Sequence, residues 1–120
     1  MGKIILDVND VCKSYNYGTN NLEVLKNFSL QLDKKEIVTI SGQSGCGKST
    51  ALNIMGTLDK QDSGTVSFEG IDVNQLDENS LANFRNTKIG FVFQFHHLLP
   101  ELTALENTSI PLWIKGAPFI

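Results

Sequence analysis

The nine residues "GQSGCGKST", Gly42 to Thr50, constrain this chain more than any other stretch. Gly42, Gly45 and Gly47 crowd into it, and glycine loses more backbone freedom on ordering than any other residue. Such a cluster marks a place where something approaches the main chain closely. Its flanks are not loop-like. "IVTIS" (37–41) is a β-branched run that predicts a strand covered on both faces. "KSTALNIMGTL" (48–58) sets Ala51, Leu52 and Met55 on one face, which predicts a helix.

Strand, G-x-x-x-x-G-K-[ST], helix is the order of a phosphate-binding loop. The successive backbone N–H groups of Gly42, Gln43, Ser44, Gly45, Cys46 and Gly47 can then point inward at phosphate oxygens. The following helix adds its unpaired N-terminal amides and its dipole. Lys48 carries a mobile positive charge to the β- and γ-phosphates, Ser49 offers a hydroxyl to Mg²⁺, and Thr50 reaches an α-phosphate oxygen. Most of these contacts are backbone contacts, which explains the sacrificed side chains. A chance match to the pattern in a chain of this composition falls below roughly one in a hundred. The expected ligand is a nucleoside triphosphate with Mg²⁺.

The bulk properties narrow the rest. A chain of 120 residues is one domain at most, and 41% hydrophobic with 19% charged residues is a globular composition. No apolar run approaches the roughly 18 residues of a membrane span. "MGKIILDVND" has no long apolar core of a secretory signal, and Gly2 lacks the downstream hydroxyl of a myristoylation site. A net charge of −3 argues against a nucleic-acid partner, so membrane association would come through a protein. Cys12 and Cys46 lack metal-ligand spacing and fit a reducing compartment. The Cys46 thiol is either activated by the helix N-terminus or simply a small filler.

Along the chain, "IILDVNDVCKSY" alternates through Ile4, Leu6 and Val8, "NYGTNN" is a turn, and "LEVLKNFSLQL" alternates again. "TVSFEGIDV" reads as a hairpin around Glu69–Gly70. "ENSLANFRNT" is helical, with Leu81 and Phe84 three apart, and "KIGFVFQ" predicts a strand. "TALE" (103–106) is a capping box opening a last helix, which Pro111 is expected to kink or shorten.

The other segments choose among phosphate-loop proteins. The N-K-x-D and D-x-x-G elements of guanine-nucleotide switches do not occur. "GQSGCGKST", "VCKSY", "VLKNFSL", "EIVTISG", "DKQDSGTVSFEG" and "IGFVFQ" occur in the order found in ABC transporter ATPases, and the resemblance runs from about Ile4 to Leu112. "FVFQFHHLLPELTALENTSIPL" resembles most closely the Q-loop region of lipoprotein-releasing ATPases of the LolD type, with macrolide-exporter ATPases as near relatives. The resemblance implies an α/β fold: a P-loop NTPase of ABC type, with an antiparallel β-subdomain and the start of a parallel-sheet core. Residues 1–120 would be the N-terminal part of that nucleotide-binding domain.

The same resemblance implies roles. Tyr15 matches the aromatic that stacks on adenine, with Tyr17 as the alternative; a surface strand tyrosine is the plainer reading. Gln94 matches the glutamine that ligates Mg²⁺ or positions the attacking water, making it and Lys48 the catalytic candidates, and Ser49 and Gln94 the metal candidates. Phe95, His96, His97, Leu98 and Leu99 would line the groove that receives an inner-membrane permease, although Leu98 and Leu99 suit core packing equally well. A full-length form would homodimerise on ATP at the cytoplasmic side of the bacterial inner membrane, with no nucleic acid involved.

This sequence departs from the pattern at Lys35, where the family usually has glycine, and at Ala51, where leucine is common. It also contains no L-S-G-G-Q signature, no Walker B strand and no later histidine switch. The chain alone is therefore expected to bind nucleotide weakly, to hydrolyse it negligibly, and to be marginally stable because "IVTIS" would have an open edge. The "GAPFI" ending suggests an artificial stop or frameshift. A complete, non-catalytic nucleotide-binding module is the alternative, and a small-molecule kinase lacks a visible lid or acceptor site.

Overall fold

The computed structural model describes residues 3–95 and 97–116; Gly2, His96 and Pro118, all weighed in the sequence, lie outside them. The chain divides into two compact units, Met1–Asp77 and Glu78–Ile120.

In the first unit, β1 (Ile4–Tyr17) and β2 (Asn20–Asp33) form a long antiparallel pair running from Ile4↔Asp33 to Tyr17↔Asn20. Gly18 turns the chain between them at φ 62°. β3 (Ser63–Phe68) pairs with the other edge of β1, and β4 (Ile71–Asp72) returns on β3, giving the order β2-β1-β3-β4. The β3–β4 turn places Glu69 at φ 49° and Gly70 at φ 84°, the paired left-handed geometry that matches strand twist in a two-residue hairpin.

Strict alternation along β1 fails at one place, for a visible reason. Val8 and Val11 are both buried although they are three residues apart. Both ladders of β1 shift register in this region, and Asp10 takes φ 48°. This bulge restores the inward face after one extra residue. The Asp10 N–H, turned out of regular pairing, donates to Ser29 Oγ at 2.9 Å. Gly64 of β3 lies against it: a Cβ there would stand 2.4 Å from the Asp10 carbonyl oxygen.

The buried apolar set of this unit is Leu6, Val8, Val11, Leu25, Val66 and Val73, with Ala51, Ile54 and Met55 from α1 (Lys48–Met55). The 51, 54, 55 spacing is a helical stripe, but its middle member is Ile54; Leu52 is 53% exposed, contrary to the sequence expectation. α1 also ends earlier than Leu58. The Gly56 N–H donates to the Leu52 carbonyl at 2.9 Å, the Thr57 N–H donates to the Ile54 carbonyl at 3.1 Å, and Thr57 enters the left-handed region at φ 64°.

Two predicted strands are not strands. Residues 37–41 pair with no other strand among the described residues, and Ile37 is 94% exposed. Residues 89–95 are likewise irregular, with Val92 fully exposed. The described sheet is antiparallel throughout, and the two runs expected to open a parallel core have no ladder partner among the described residues. A strand is completed by a neighbour that accepts its N–H and C=O groups, and β-branched composition does not supply one.

The second unit holds α2 (Glu78–Lys88) and α3 (Ala104–Lys115). Thr103 and Glu106 form the expected capping box at α3, with the Thr103 N–H and hydroxyl holding the Glu106 carboxyl below its ordinary range. Pro111 does not shorten the helix, which continues to Lys115 and ends at Gly116 with φ 106°. Asn86 Nδ2 donates to the Pro111 carbonyl at 3.1 Å, tying α2 to α3. No described helix is long and apolar enough to cross a membrane.

Candidate functional site

The glycine-rich loop is shaped by what it touches. Gly47 caps α1 in the left-handed region at φ 98°, with no side-chain cap. A Cβ on Gly47 would lie 2.8 Å from the Val24 carbonyl oxygen and 3.1 Å from Leu25 Cδ2, so β2 leaves room only for glycine. Gly45 turns the loop at φ 83°, and the Cys46 N–H closes it on the Gln43 carbonyl at 3.2 Å. Across the loop, a Cβ on Gly42 would stand 2.6 Å from Cys46 Sγ, so the exposed thiol fills the space that glycine leaves. Here the filler reading of Cys46 has a concrete geometry.

Lys48 folds back over this loop. Its Nζ donates to the Gly42 carbonyl and to the Gln43 carbonyl, the latter at 3.1 Å. The first α1 hydrogen bond runs from the Ala51 N–H to the Gly47 carbonyl at 2.9 Å, so the N–H groups of Lys48, Ser49 and Thr50 precede the helical ladder. Their partial positive charges, the ammonium group and the Ser49 hydroxyl are gathered within the Gly42–Thr50 segment. That donor set fits a polyphosphate, and the Ser49 oxygen suits a hard divalent cation held by that polyphosphate.

Tyr15 joins the same unit through a polar cluster that sequence reasoning missed. Its hydroxyl donates to Asp59 Oδ2 at 2.7 Å. The Lys13 ammonium lies 3.5 Å from Asp59 Oδ1, 3.7 Å from Asp62 Oδ1 and 5.1 Å from the Tyr15 ring centroid. Lys13 Nζ also donates to the Lys60 carbonyl at 2.8 Å, while the Ser14 N–H donates to Asp62 Oδ2 at 2.7 Å. The bond to Asp59, then burial, raises the Tyr15 phenol above its ordinary value, and the Thr50 hydroxyl pulls weakly the other way. The same bond, foremost, lowers the Asp59 carboxyl. A usable signal was present: Lys13 and Tyr15 sit two apart on a strand and so share a face. Tyr17, the alternative platform, is 63% exposed near the β1–β2 turn.

The loop residues and Tyr15 thus belong to the first unit, whereas Gln94 belongs to the second, exposed and outside any strand. Near Gln94, Phe93 stacks on Phe91 at 5.4 Å and on His97 at 4.4 Å between centroids. Phe95, Leu98 and Leu99 are exposed, so neither leucine is core. Asn107 of α3 accepts the Leu99 N–H at 2.9 Å and donates to the Leu99 carbonyl at 3.1 Å, fixing that loop from below.

Comparison with known proteins gives consistent results. The ABC transporter family model matches residues 25–117. A lipoprotein-releasing system ATP-binding protein LolD from Geobacter metallireducens is 54% identical over 93% of this chain and 50% of its own length. LolD from Bacteroides thetaiotaomicron is 57% identical over 80% of this chain and 44% of its own. The chain spans about half the length of the curated relatives it matches. Among solved structures, the dimeric bacterial ABC transporter cassette MJ0796 superposes with a TM-score of 0.90 at 44% identity, covering 97% of this chain and 50% of that one. A post-hydrolysis MJ0796 dimer bound to ADP and Pi gives 0.89.

Proposed function

The chain belongs to the ABC transporter family, and from that premise we propose that it is the ATP-binding part of a transporter ATPase that drives lipoprotein release from a bacterial inner membrane. The observation that carries this reading is the Gly42–Thr50 loop, in which Lys48 folds back onto the loop carbonyls and α1 begins at Gly47 with no side-chain cap. The Lys48 ammonium would exchange its carbonyl partners for the β- and γ-phosphate oxygens of ATP, and the Ser49 hydroxyl would hold Mg²⁺; Gln94 is a metal candidate by its match to the family pattern. The metal would supply charge neutralisation on the triphosphate. Tyr15 offers its ring to the base, a contact with little base selectivity.

Gln43, Ser44, Gly45, Cys46 and Gly47 contribute amides, and Thr50 contributes an α-phosphate contact. Hydrolysis by this chain alone is negligible in this reading. The acids that follow the loop, Asp59 and Asp62, are already committed to Lys13, Tyr15 and the Ser14 N–H. In the whole protein two cassettes would pair on ATP, a reading supported by a relative whose name describes it as dimeric, and the exposed residues around Gln94 would meet an inner-membrane permease from the cytoplasmic side.

Calorimetric titration with Mg·ATP tests the core of this. Saturable binding that weakens about ten- to a hundredfold in Lys48→Ala is expected, since charge-assisted hydrogen bonds are lost. Undiminished binding in that variant contradicts the assignment.

A further inference from the structure

The cluster around Tyr15 is more than a strand-to-loop tie. Asp59 is oriented from three sides: Oδ2 accepts the Tyr15 hydroxyl, Oδ1 accepts the Lys60 N–H at 2.8 Å, and the Lys13 ammonium stands beside Oδ1. Lys13 is itself held by Asp62 and the Lys60 carbonyl, with its side chain only 14% exposed. That ammonium also lies over the Tyr15 ring, on the negative face of its quadrupole. The ring is therefore gripped at its hydroxyl and covered on one face.

We propose that Asp59 and Lys13 are positioning residues for the nucleobase, fixing the Tyr15 ring so that a base stacks on the face turned away from Lys13. This rests on reading Tyr15 as the base platform. A tyrosine free to swing would have to be ordered by the base at the moment of binding; one already fixed spares that loss. The effect must then appear only with ligands that carry a base.

The test compares Mg·ATP with Mg·tripolyphosphate, which engages the phosphate loop alone. In Asp59→Ala, ATP affinity is expected to fall roughly three- to tenfold, the worth of one lost hydrogen bond, while tripolyphosphate affinity stays within about twofold. Asp59→Asn, whose amide oxygen still accepts from the hydroxyl, recovers most of the loss. Tyr15→Phe matches Asp59→Ala, and the double variant loses nothing further. Equal weakening of both ligands, or no change in either, overturns the proposal. Should Asp59→Ala not fold, Tyr15→Phe decides, because it leaves the Lys13–Asp59 pair intact; wild-type ATP affinity there overturns the proposal. If Tyr15→Ala leaves ATP affinity unchanged while tripolyphosphate still binds, the base-platform reading fails and this proposal with it. If the wild-type chain binds neither ligand, the phosphate-loop reading is what has failed.

Discussion

Two sets of apolar residues in this molecule have similar sequences and opposite fates. Val8, Val11 and Val66 lie on a three-strand ladder and are sealed from water, at 1%, 0% and 0% exposure. Ile37 and Val92 occupy runs at least as strand-like, "IVTIS" and "IGFVFQ", and stand in the open at 94% and 101%. What differs is the neighbour. β1 has β2 on one edge and β3 on the other, whereas neither exposed run has a ladder partner among the described residues. Strand propensity is a statement about fitting a pleated, covered surface, and it lapses where no surface is offered.

The sharpest way to break this comparison is a matched pair of truncations. Ile54→Ala removes a side chain that is 2% exposed and is expected to cost about 2–5 kcal/mol. Ile37→Ala is expected to cost under about 0.5 kcal/mol. Urea denaturation measures both, and equal costs would mean that 37–41 is packed after all. A second contrast lies between glycines. Gly64→Ala drives a Cβ into the Asp10 carbonyl at a φ of 87°, for an expected loss of about 2–3 kcal/mol, whereas Gly18→Ala meets open space and loses about 1. Similar losses would remove the bulge from the account.

The polar cluster predicts a smaller, pH-dependent effect. The lowered Asp59 carboxyl contributes stability above the ordinary carboxylate range, about pH 4, and loses it as pH falls through its depressed folded value. The raised Tyr15 phenol contributes below about pH 10 and loses it as pH rises through its elevated folded value. Thermal melts across pH should show a plateau with two shoulders, each under about 1 kcal/mol for groups this exposed; Asp59→Asn should remove the acid shoulder and only lessen the alkaline one, because its amide oxygen still accepts the Tyr15 hydroxyl. Smallest is Lys35→Gly. Lys35 sits at φ 68°, a left-handed site, so glycine there should gain up to about 1 kcal/mol, and a loss would show that the lysine side chain matters.

Much of this structure was legible because the signals are local. Thr103 and Glu106 announced their cap, Glu69–Gly70 announced a hairpin, and Leu6 and Val8 announced a covered sheet face, although Ile4 of the same alternation is exposed. The glycines of the Gly42–Thr50 loop were legible in part for the same reason: Gly45 and Gly47 answer to left-handed turns in the loop itself, whereas the closeness of Gly47 to Val24 of β2 is not local. Failures began where the cause is distant. The Asp10 bulge depends on Ser29 and Gly64, the choice of Ile54 over Leu52 depends on which helix face meets the sheet, and strands at 37–41 and 89–95 depend on partners that local sequence cannot announce. Asp59 carries no local sign of its role, because its partner Tyr15 lies on another element, far back in the chain.

The claim beneath everything else is that backbone amides at the Gly42–Thr50 turn receive polyphosphate oxygens. Amide-resolved NMR during titration with Mg·ATP tests it most directly. The account predicts saturable shifts concentrated at Gly45, Gly47, Lys48 and Ser49, moved together to about ten- to a hundredfold higher ATP in Lys48→Ala. Saturating ATP that moves other amides and leaves those four in place would contradict it.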